Sequence, residues 1–360
     1  MHVAFSLLTL SPSAVGGSET YARGLLGAFA EGHGPERVTV LANRAVAATV
    51  RPAGPVAVEA GSLSVGEAGW TRLAGLVRGM ATSDASGADL LHHPLTVPAP
   101  RPRGPSVITL HDVLHREHPS MFSRAERSFR RVAYDRAAGH ATRVITVSEY
   151  SRGQIVEQLG IAPDRVVVVQ SGVDHARFMP DGPAAPPLEG PFVLYPANLW
   201  PHKNHERLIS ALARVGGVAL VLTGAPSTRL PSLLELARRE GVDVRHLGYV
   251  DDLPALYRAA TALVFPSLAE GWGAPVVEAM ACGCPVAASD AGAVAEAAGG
   301  AALLFPSDDV AAMADAIRRV TQDEGLREQL RGRGIERAAS LTWAAAAARH
   351  TEVYAYALRR

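Results

Sequence analysis

The chain has 360 residues, 48% of them apolar, which is enough for two ordinary hydrophobic cores. Its 35 basic and 35 acidic side chains cancel to a formal net charge of zero, which excludes the overall basic footprint of a nucleic-acid binder. Its two cysteines, two residues apart, make a poor disulfide pair, and no apolar run approaches the roughly 20 residues of a membrane helix, so a reducing, cytoplasmic setting is expected.

The opening stretch has a short apolar run without a basic n-region and reads as a first buried strand, not a signal peptide. Candidate strands in the first half are residues 2–8, 38–42, 89–93, 106–110, 143–147 and 166–169. Several are continuous apolar runs without alternation, as strands buried on both faces are. After the first strand, Gly16 and Gly17 precede Ser18, the expected N-cap of a helix. Strand, glycine loop and helix together make an anion site. The stretch lacks the G-x-G-x-x-G fingerprint, and a double glycine alone is more often a tight turn.

The segment "SVITLHDVLHREHP" (106–119) ends its strand at His111–Asp112. A histidine there can hydrogen-bond a substrate hydroxyl or take part in proton transfer. His92, His93, His115 and His118 lie nearby in sequence, but their spacings match no standard zinc pattern, and no metal is expected. Residues 123–143 are arginine-dense and helical in pattern. The preferred reading is a solvated face with Glu126 and Asp135 as partners. The rival is a face toward an anionic membrane or acceptor.

The stretch "PDGPAAPPLEGP" (180–191) holds five prolines and two glycines and cannot form a regular element. It is the expected linker, residues 181–191, between a first domain, 1–180, and a second, 192–340. With helices between the strands, each half is a parallel α/β domain, doubly wound, and two such sheets facing each other would bind ligands in a cleft at the carboxyl ends of their strands. The alanine-rich segment 341–360 is expected to be a helix packing back on the first domain.

In the second half the candidate strands are 192–196, 218–224, 244–248, 262–266, 285–289 and 302–305. Lys203, the chain's one lysine, precedes Asn204, a natural N-cap for a helix starting near His205. That is a poor place for a lone cation and a good one for a cation sharing an anion with helix amides. Further on, a strand ends at Pro266–Ser267 and a loop carries Glu270, Gly271, Trp272 and Gly273. Pro275 suits a first helical turn, and Glu278 lies one turn into the helix. The free amides near Gly273 and Ala274 offer a phosphate cradle. On spacing alone, the alternative is two solvated glutamates. Cys282 and Cys284 read as small core residues. The chain has no Asp-x-Asp, no P-loop and no G-x-S-x-G elbow.

At this point the residues are similar to a known family. "PSLAEGWGAPVVEAMACGCPV" closely resembles the signature of retaining glycosyltransferase family four, which has the GT-B fold of two Rossmann-like domains facing a cleft. "WPHKNHERLISAL" resembles its Lys-Asn segment, and "ITLHD", "ITVSEYSR" and "SGVDHARF" match further blocks in the expected order. The resemblance implies that Glu278 binds ribose hydroxyls, Glu270 contacts the donor sugar and Lys203 holds the diphosphate. Gly16 and Gly17 would approach the phosphate and sugar from the facing domain, and His111 would lie near the reacting carbon. Gly248, Tyr249 and Val250 would lie along the base. Asn204, Gly271, Trp272, Gly273, Ala274, Pro275 and Val276 complete the implied donor-binding set, although Pro275 has no N–H to give. Many members carry a second phosphate cation as an arginine six residues before the lysine, where this chain has Ala197.

The function implied is metal-independent transfer of a sugar, with retention, from a nucleoside-diphosphate sugar to a hydroxyl acceptor in polysaccharide, glycolipid or natural-product biosynthesis. His111, Lys203 and Glu270 are the implied catalytic residues. The "PHKN" form hints at a mannose-like or deoxysugar donor. The partners implied are the donor and a hydroxyl acceptor, not nucleic acid, with peripheral contact to an anionic inner membrane face as a further expectation. Another GT-B enzyme on nucleotide sugars, epimerase-like, and a non-catalytic sugar-nucleotide binder are the alternatives.

Overall fold

The computed structural model describes residues 1–11, 16–61, 69–81, 86–185 and 190–359. Apolar runs buried on both faces become strands of two wholly parallel sheets. The first holds β1 (His2–Leu7), β2 (Arg37–Ala42), β3 (Val56–Ala60), β4 (Leu90–His93), β5 (Ser106–Thr109), β6 (Arg143–Thr146) and β7 (Val166–Val168), in the order β3-β2-β1-β4-β5-β6-β7. The second holds β8 (Phe192–Pro196), β9 (Ala219–Thr223), β10 (Val244–His246), β11 (Ala262–Phe265), β12 (Val286–Ser289) and β13 (Leu303–Phe305), in the order β10-β9-β8-β11-β12-β13. All twelve expected strands form. The strand the sequence did not reveal is β3, an edge strand of which only Val56 is buried, so it lacks an apolar run to read.

In each sheet the strand order reverses direction at the middle, between β1 and β4 and between β8 and β11. The loops leaving those strands diverge to opposite faces, and the gap at their carboxyl ends is where open α/β sheets take ligands.

The chain divides into a unit of Met1–Gly172 with Leu341–Arg360 and a unit of Val173–Ser340. The boundary therefore precedes the proline-rich stretch instead of lying within 181–191. The reason is local anchoring on the second unit. Arg177 NH2 donates to the Asp251 carbonyl at 2.9 Å, and the Phe178 and Tyr257 rings lie 6.2 Å apart. Arg258 donates to the carbonyls of Pro183 and Met179, and the Ala185 amide to Ala255 at 3.0 Å.

The terminal helix, Trp343–Leu358, belongs to the first unit. Thr342 caps it by accepting from the Ala345 amide at 3.1 Å. It packs on the first helix, Gly17–Ala30, where a Cβ on Gly24 would stand 2.1 Å from the Trp343 ring. Val353, Tyr354 and Ala357 are buried, and a fully buried Val side chain contributes roughly 1.5–3 kcal/mol. The buried Arg143 guanidinium lies 4.2 Å over the Tyr356 ring.

Two local expectations change. The first helix begins at Gly17, with Gly16 as its N-cap at φ +56°, so Ser18 lies inside the helix and does not cap it. In the arginine-dense segment, Ser123 and Glu126 form a capping box for Arg124–Arg130, a π-turn follows over Arg131–Asp135, and α-helix resumes at Arg136–His140. Glu126 is thus spent on the cap. Asp135 binds His115 Nε2 and Arg116, both outside the segment, while Glu126 has the Arg130 charge nearby.

Candidate active site

In the second unit the switch point is built from the loops after β8 and β11. The β8 loop closes in a 3-10 turn, Pro201–Lys203, and the helix His205–Val215 follows. The two loops are tied together. Leu268 N donates to the His202 carbonyl at 2.8 Å, and the Tyr195 hydroxyl donates to the Lys203 carbonyl at 3.0 Å while meeting Ser267 Oγ at 2.9 Å. Ser289 Oγ in turn donates to the Ser267 carbonyl at 2.6 Å.

This scaffold brings Lys203 Nζ to 2.6 Å from Glu270 Oε1. The two side chains are only 13% and 14% exposed, so the pair is shielded yet reachable. The ammonium also lies 5.6 Å from the Phe265 ring centre. Glu270 is held from behind by its own backbone, whose carbonyl accepts from Ala293 N at 3.0 Å. Gly292 makes that approach possible. It has φ +62°, and a Cβ there would stand 2.5 Å from the Glu270 carbonyl oxygen.

Next to Glu270, Gly273 at φ +109° is the N-cap of the helix Ala274–Ala281, with Pro275 in the first turn. Gly273 offers no side-chain cap, which leaves the Ala274 amide at the helix start for an incoming anion. Gly271, Ala274 and Pro275 border this helix start. Val276 and Trp272 do not serve it with their side chains, which are buried in the core, and the Val276 amide is bonded to the Gly273 carbonyl at 2.9 Å.

Asn204 corrects its expected role. It stands at the N-cap position but at φ +62°, and its side chain caps nothing. Its amide donates to the Pro266 and Ser307 carbonyls at 3.0 and 2.8 Å, and Arg207 donates to its oxygen at 3.0 Å. Asn204 is 3% exposed and fastens the lysine loop to its neighbours, so its side chain is not offered to a ligand. His205, wholly buried against the Tyr195 ring, is kept neutral by burial, which pushes it down to about 3.

Glu278 parts from Glu270. Its carboxylate accepts from the Tyr257 hydroxyl at 3.1 Å. Burial raises its pKa, while the Tyr257 hydrogen bond and the Arg177 charge pull it back. Neither Tyr257 nor Arg177 announces itself by spacing in the sequence. Gly248 (φ +69°) takes the Gly224 amide on its carbonyl at 2.8 Å, which sets the loop carrying the exposed Tyr249 and the half-buried Val250.

In the first unit, Gly16 and Gly17 are exposed at the start of a fourteen-residue helix, so their backbone is approachable. Pro12, Ser13, Ala14 and Val15, which precede them, lie outside the described residues. His111 follows β5. Its Nε2 lies 3.1 Å from the Pro94 carbonyl, its ring stands edge-on to Tyr21 with centres 4.8 Å apart, and burial lowers its pKa. Because a carbonyl only accepts, Nε2 carries the hydrogen and Nδ1 presents a lone pair. The other histidines scatter. His92 meets Thr109 and Tyr354, His93 the Pro100 carbonyl, and His115 Asp135. Among the described residues no group of three or more His, Cys, Asp or Glu is arranged to hold a metal ion. No described helix is long and apolar enough to cross a membrane.

Two family models match the chain, one described as Glycosyltransferase Family 4 over residues 15–177 and one as Glycosyl transferases group 1 over residues 190–323. The O-antigen chain mannosyltransferase B of Escherichia coli is 30% identical over 273 residues, 71% of each chain. A D-inositol 3-phosphate glycosyltransferase of Streptomyces bingchenggensis is 32% identical over 259 residues, 65% of this chain and 57% of its own length. Among solved structures, sucrose-phosphate synthase from Thermosynechococcus elongatus superposes with a TM-score of 0.75 at 22% identity, covering 99% of this chain and 98% of that one. HepE from Anabaena, solved with UDP and glucose, gives 0.74 at 21% identity, covering 99% of this chain and all of that one. At that identity these two likenesses speak for the fold alone.

Proposed function

The chain belongs to the group 1 glycosyltransferases of glycosyltransferase family four, and from that premise we propose that it moves a hexosyl group, mannose-like, from a nucleoside-diphosphate sugar to a hydroxyl acceptor, with retention and without a metal ion. The observation that carries the reading is the shielded Lys203–Glu270 pair at the β8/β11 switch point, beside the start of the Ala274–Ala281 helix.

In this reading the sugar–oxygen bond to the diphosphate breaks, and negative charge grows on the leaving oxygen. Lys203 and first-turn amides near Gly273 and Ala274, fixed beforehand by the loop ties, stabilise that charge without reorganising. Glu270, steered by the ammonium, accepts from donor-sugar hydroxyls, and Glu278 from the ribose. In the first unit, the backbone of Gly16 and Gly17 and the Nδ1 lone pair of His111 are read as the donor-contacting groups. The acceptor oxygen bonds to the anomeric carbon on the face the diphosphate leaves, and its proton passes to a phosphate oxygen. A double displacement would need a free carboxylate beneath the sugar, and Glu270 is already committed to Lys203.

A mannosyltransferase among the relatives favours a mannose-like donor, and the inositol-phosphate relatives favour a polyol or sugar hydroxyl as acceptor. The arginine segment supports peripheral contact with an anionic membrane. Arg124, Arg131 and Arg136 are exposed without an acid partner among the described residues, beside Val132, which is 59% exposed.

A thermal-shift screen across GDP-, UDP-, dTDP- and ADP-sugars tests the reading, since a donor that binds only the folded state raises its melting point. One nucleotide class should raise the wild-type Tm and fail to raise that of Lys203→Ala. No shift with any donor, or equal shifts in both proteins, would count against it. Product analysis of the anomeric configuration, with and without EDTA, then decides retention and metal independence.

A further inference from the structure

A buried file of polar side chains in the first unit has one consistent proton arrangement. His350 Nδ1 lies 2.7 Å from the Ala346 carbonyl, which can only accept, so Nδ1 carries the hydrogen. His350 Nε2 therefore accepts from the Tyr21 hydroxyl at 2.6 Å. The Tyr21 oxygen accepts from Thr109 Oγ1 at 3.1 Å, and Thr109 Oγ1 from His92 Nε2 at 2.9 Å. His92 Nδ1 closes the file by accepting from the Tyr354 hydroxyl at 2.7 Å. Every donor and acceptor along it is satisfied only when both imidazoles are neutral, and burial does push both down, His350 to about 4.

Both ends of the file lie on the terminal helix, and its middle member touches the site. The Tyr21 ring meets the His111 ring at 90° with centres 4.8 Å apart. This wall opposes rotation of the imidazole, and a half-turn would put Cδ2 where Nδ1 stands and Cε1 where Nε2 stands, losing the Nε2 bond to Pro94 that selects the tautomer. Tyr21 itself cannot shift without breaking its bond to His350.

We propose that Tyr21 is a positioning residue for His111, locked by His350, so that the terminal helix sets the direction of the His111 Nδ1 lone pair. The proposal rests on the reading of His111 as a donor-sugar contact. On the same helix Arg23 donates to Glu19 and to Thr49, whereas the Tyr21 hydroxyl reaches the terminal helix.

The test compares four variants of the full chain: Tyr21→Leu, Tyr21→Phe, Tyr354→Phe and His111→Gln. Long-range nitrogen–proton NMR on histidine-labelled protein reads the tautomer of each imidazole, and the His111→Gln spectrum assigns the His111 signals. Wild type and Tyr354→Phe should show His111 as the Nε2–H tautomer. Tyr21→Leu should show mixed tautomers and a kcat about tenfold lower with the donor KM within about twofold. Tyr21→Phe, which keeps the ring but loses the bond to His350, should fall between wild type and Tyr21→Leu in both readouts, and wild-type values there would remove His350 as the lock. Unchanged His111 signals in Tyr21→Leu would overturn the proposal, as would an equal loss of kcat in Tyr354→Phe at matched Tm. Wild-type turnover in His111→Gln would sink the role of His111 itself, and the proposal with it, whatever the spectra of the other variants show.

Discussion

Lys203 and Glu270 stand 67 residues apart in sequence and 2.6 Å apart in space, each delivered by the loop that leaves a neighbouring strand of one parallel sheet. The pair joins the two halves of a switch point and gives the loops a common electrostatic anchor. In the proposed reaction its value would lie in presenting a cation whose position is settled before any anion arrives.

Lys203→Ala should lower kcat/KM by at least about 100-fold, the scale of losing one preorganised charge-stabilising donor. It also leaves Glu270 without its cation in a shielded place, so some loss of stability accompanies it. Steady-state kinetics beside a melting curve separates the two effects. Turnover near wild type would remove Lys203 from the mechanism.

Gly292→Ala should be costly for two reasons, the left-handed backbone and a Cβ 2.5 Å from the Glu270 carbonyl oxygen. Gly300→Ala is the matched control, with φ +80° and nothing within 4 Å of the added atom. The control should lose about 1 kcal/mol from backbone strain alone, and Gly292→Ala clearly more. Donor binding should fall only in Gly292→Ala. Equal melting curves and equal donor affinity in the two variants would mean that Gly292 does not shape the Glu270 loop.

Glu278→Gln should separate stability from binding. Because burial raises the Glu278 pKa, the folded state holds its proton more tightly than the unfolded chain does. The stability it contributes is therefore present at low pH and lost as pH rises through the folded value. At pH 7 the amide, which can still accept from Tyr257, should leave Tm unchanged or higher. Nucleotide affinity should drop about tenfold if the carboxylate binds ribose hydroxyls. Calorimetry showing undiminished nucleotide binding would reassign Glu278 to a structural role.

Acid should loosen the terminal helix. Burial lowers the folded pKa of His350 to about 4 from the ordinary imidazole value of 6.5, so its contribution to stability is complete above the unfolded value and fades as pH falls toward 4. His92 and His205 shift in the same direction. Urea melts between pH 7 and pH 4.5 should show falling stability, and His350→Gln should show a shallower fall, by up to about one proton's worth or 1.4 kcal/mol per pH unit. A slope identical to wild type would mean that His350 titrates alike folded and unfolded.

The exposed arginines should take the chain to anionic vesicles. Sedimentation with phosphatidylserine liposomes should pellet wild type at low salt and release it as salt rises, each basic residue near the surface being worth about 1 kcal/mol. The triple change of Arg124, Arg131 and Arg136 to Ser should abolish pelleting. Equal pelleting on neutral lipid would point to apolar adsorption instead.

Much of this molecule is legible residue by residue. Continuous apolar runs such as "FVLYP" and "ALVF" read as strands covered on both faces, and the helices between them favour parallel pairing, so the sheet class is legible from pattern. Glu270, Gly273 and Pro275 announce a strand–loop–helix turn because each suits its backbone position. What pattern cannot supply is which loop meets which. Asn204 looks like a cap from its neighbours, but its αL backbone and two distant carbonyls, Pro266 and Ser307, decide that it fastens loops together. Tyr257 beside Glu278, Gly292 beneath Glu270, and Tyr21 between His350 and His111 are likewise invisible along the chain. Local periodicity reports only how a residue faces its own element, whereas strand order and long-range packing choose its partner. Pattern along the chain carried twelve of the thirteen described strands and the two-sheet plan, because each follows from a residue's own element; which side chains meet depended on strand order and long-range packing.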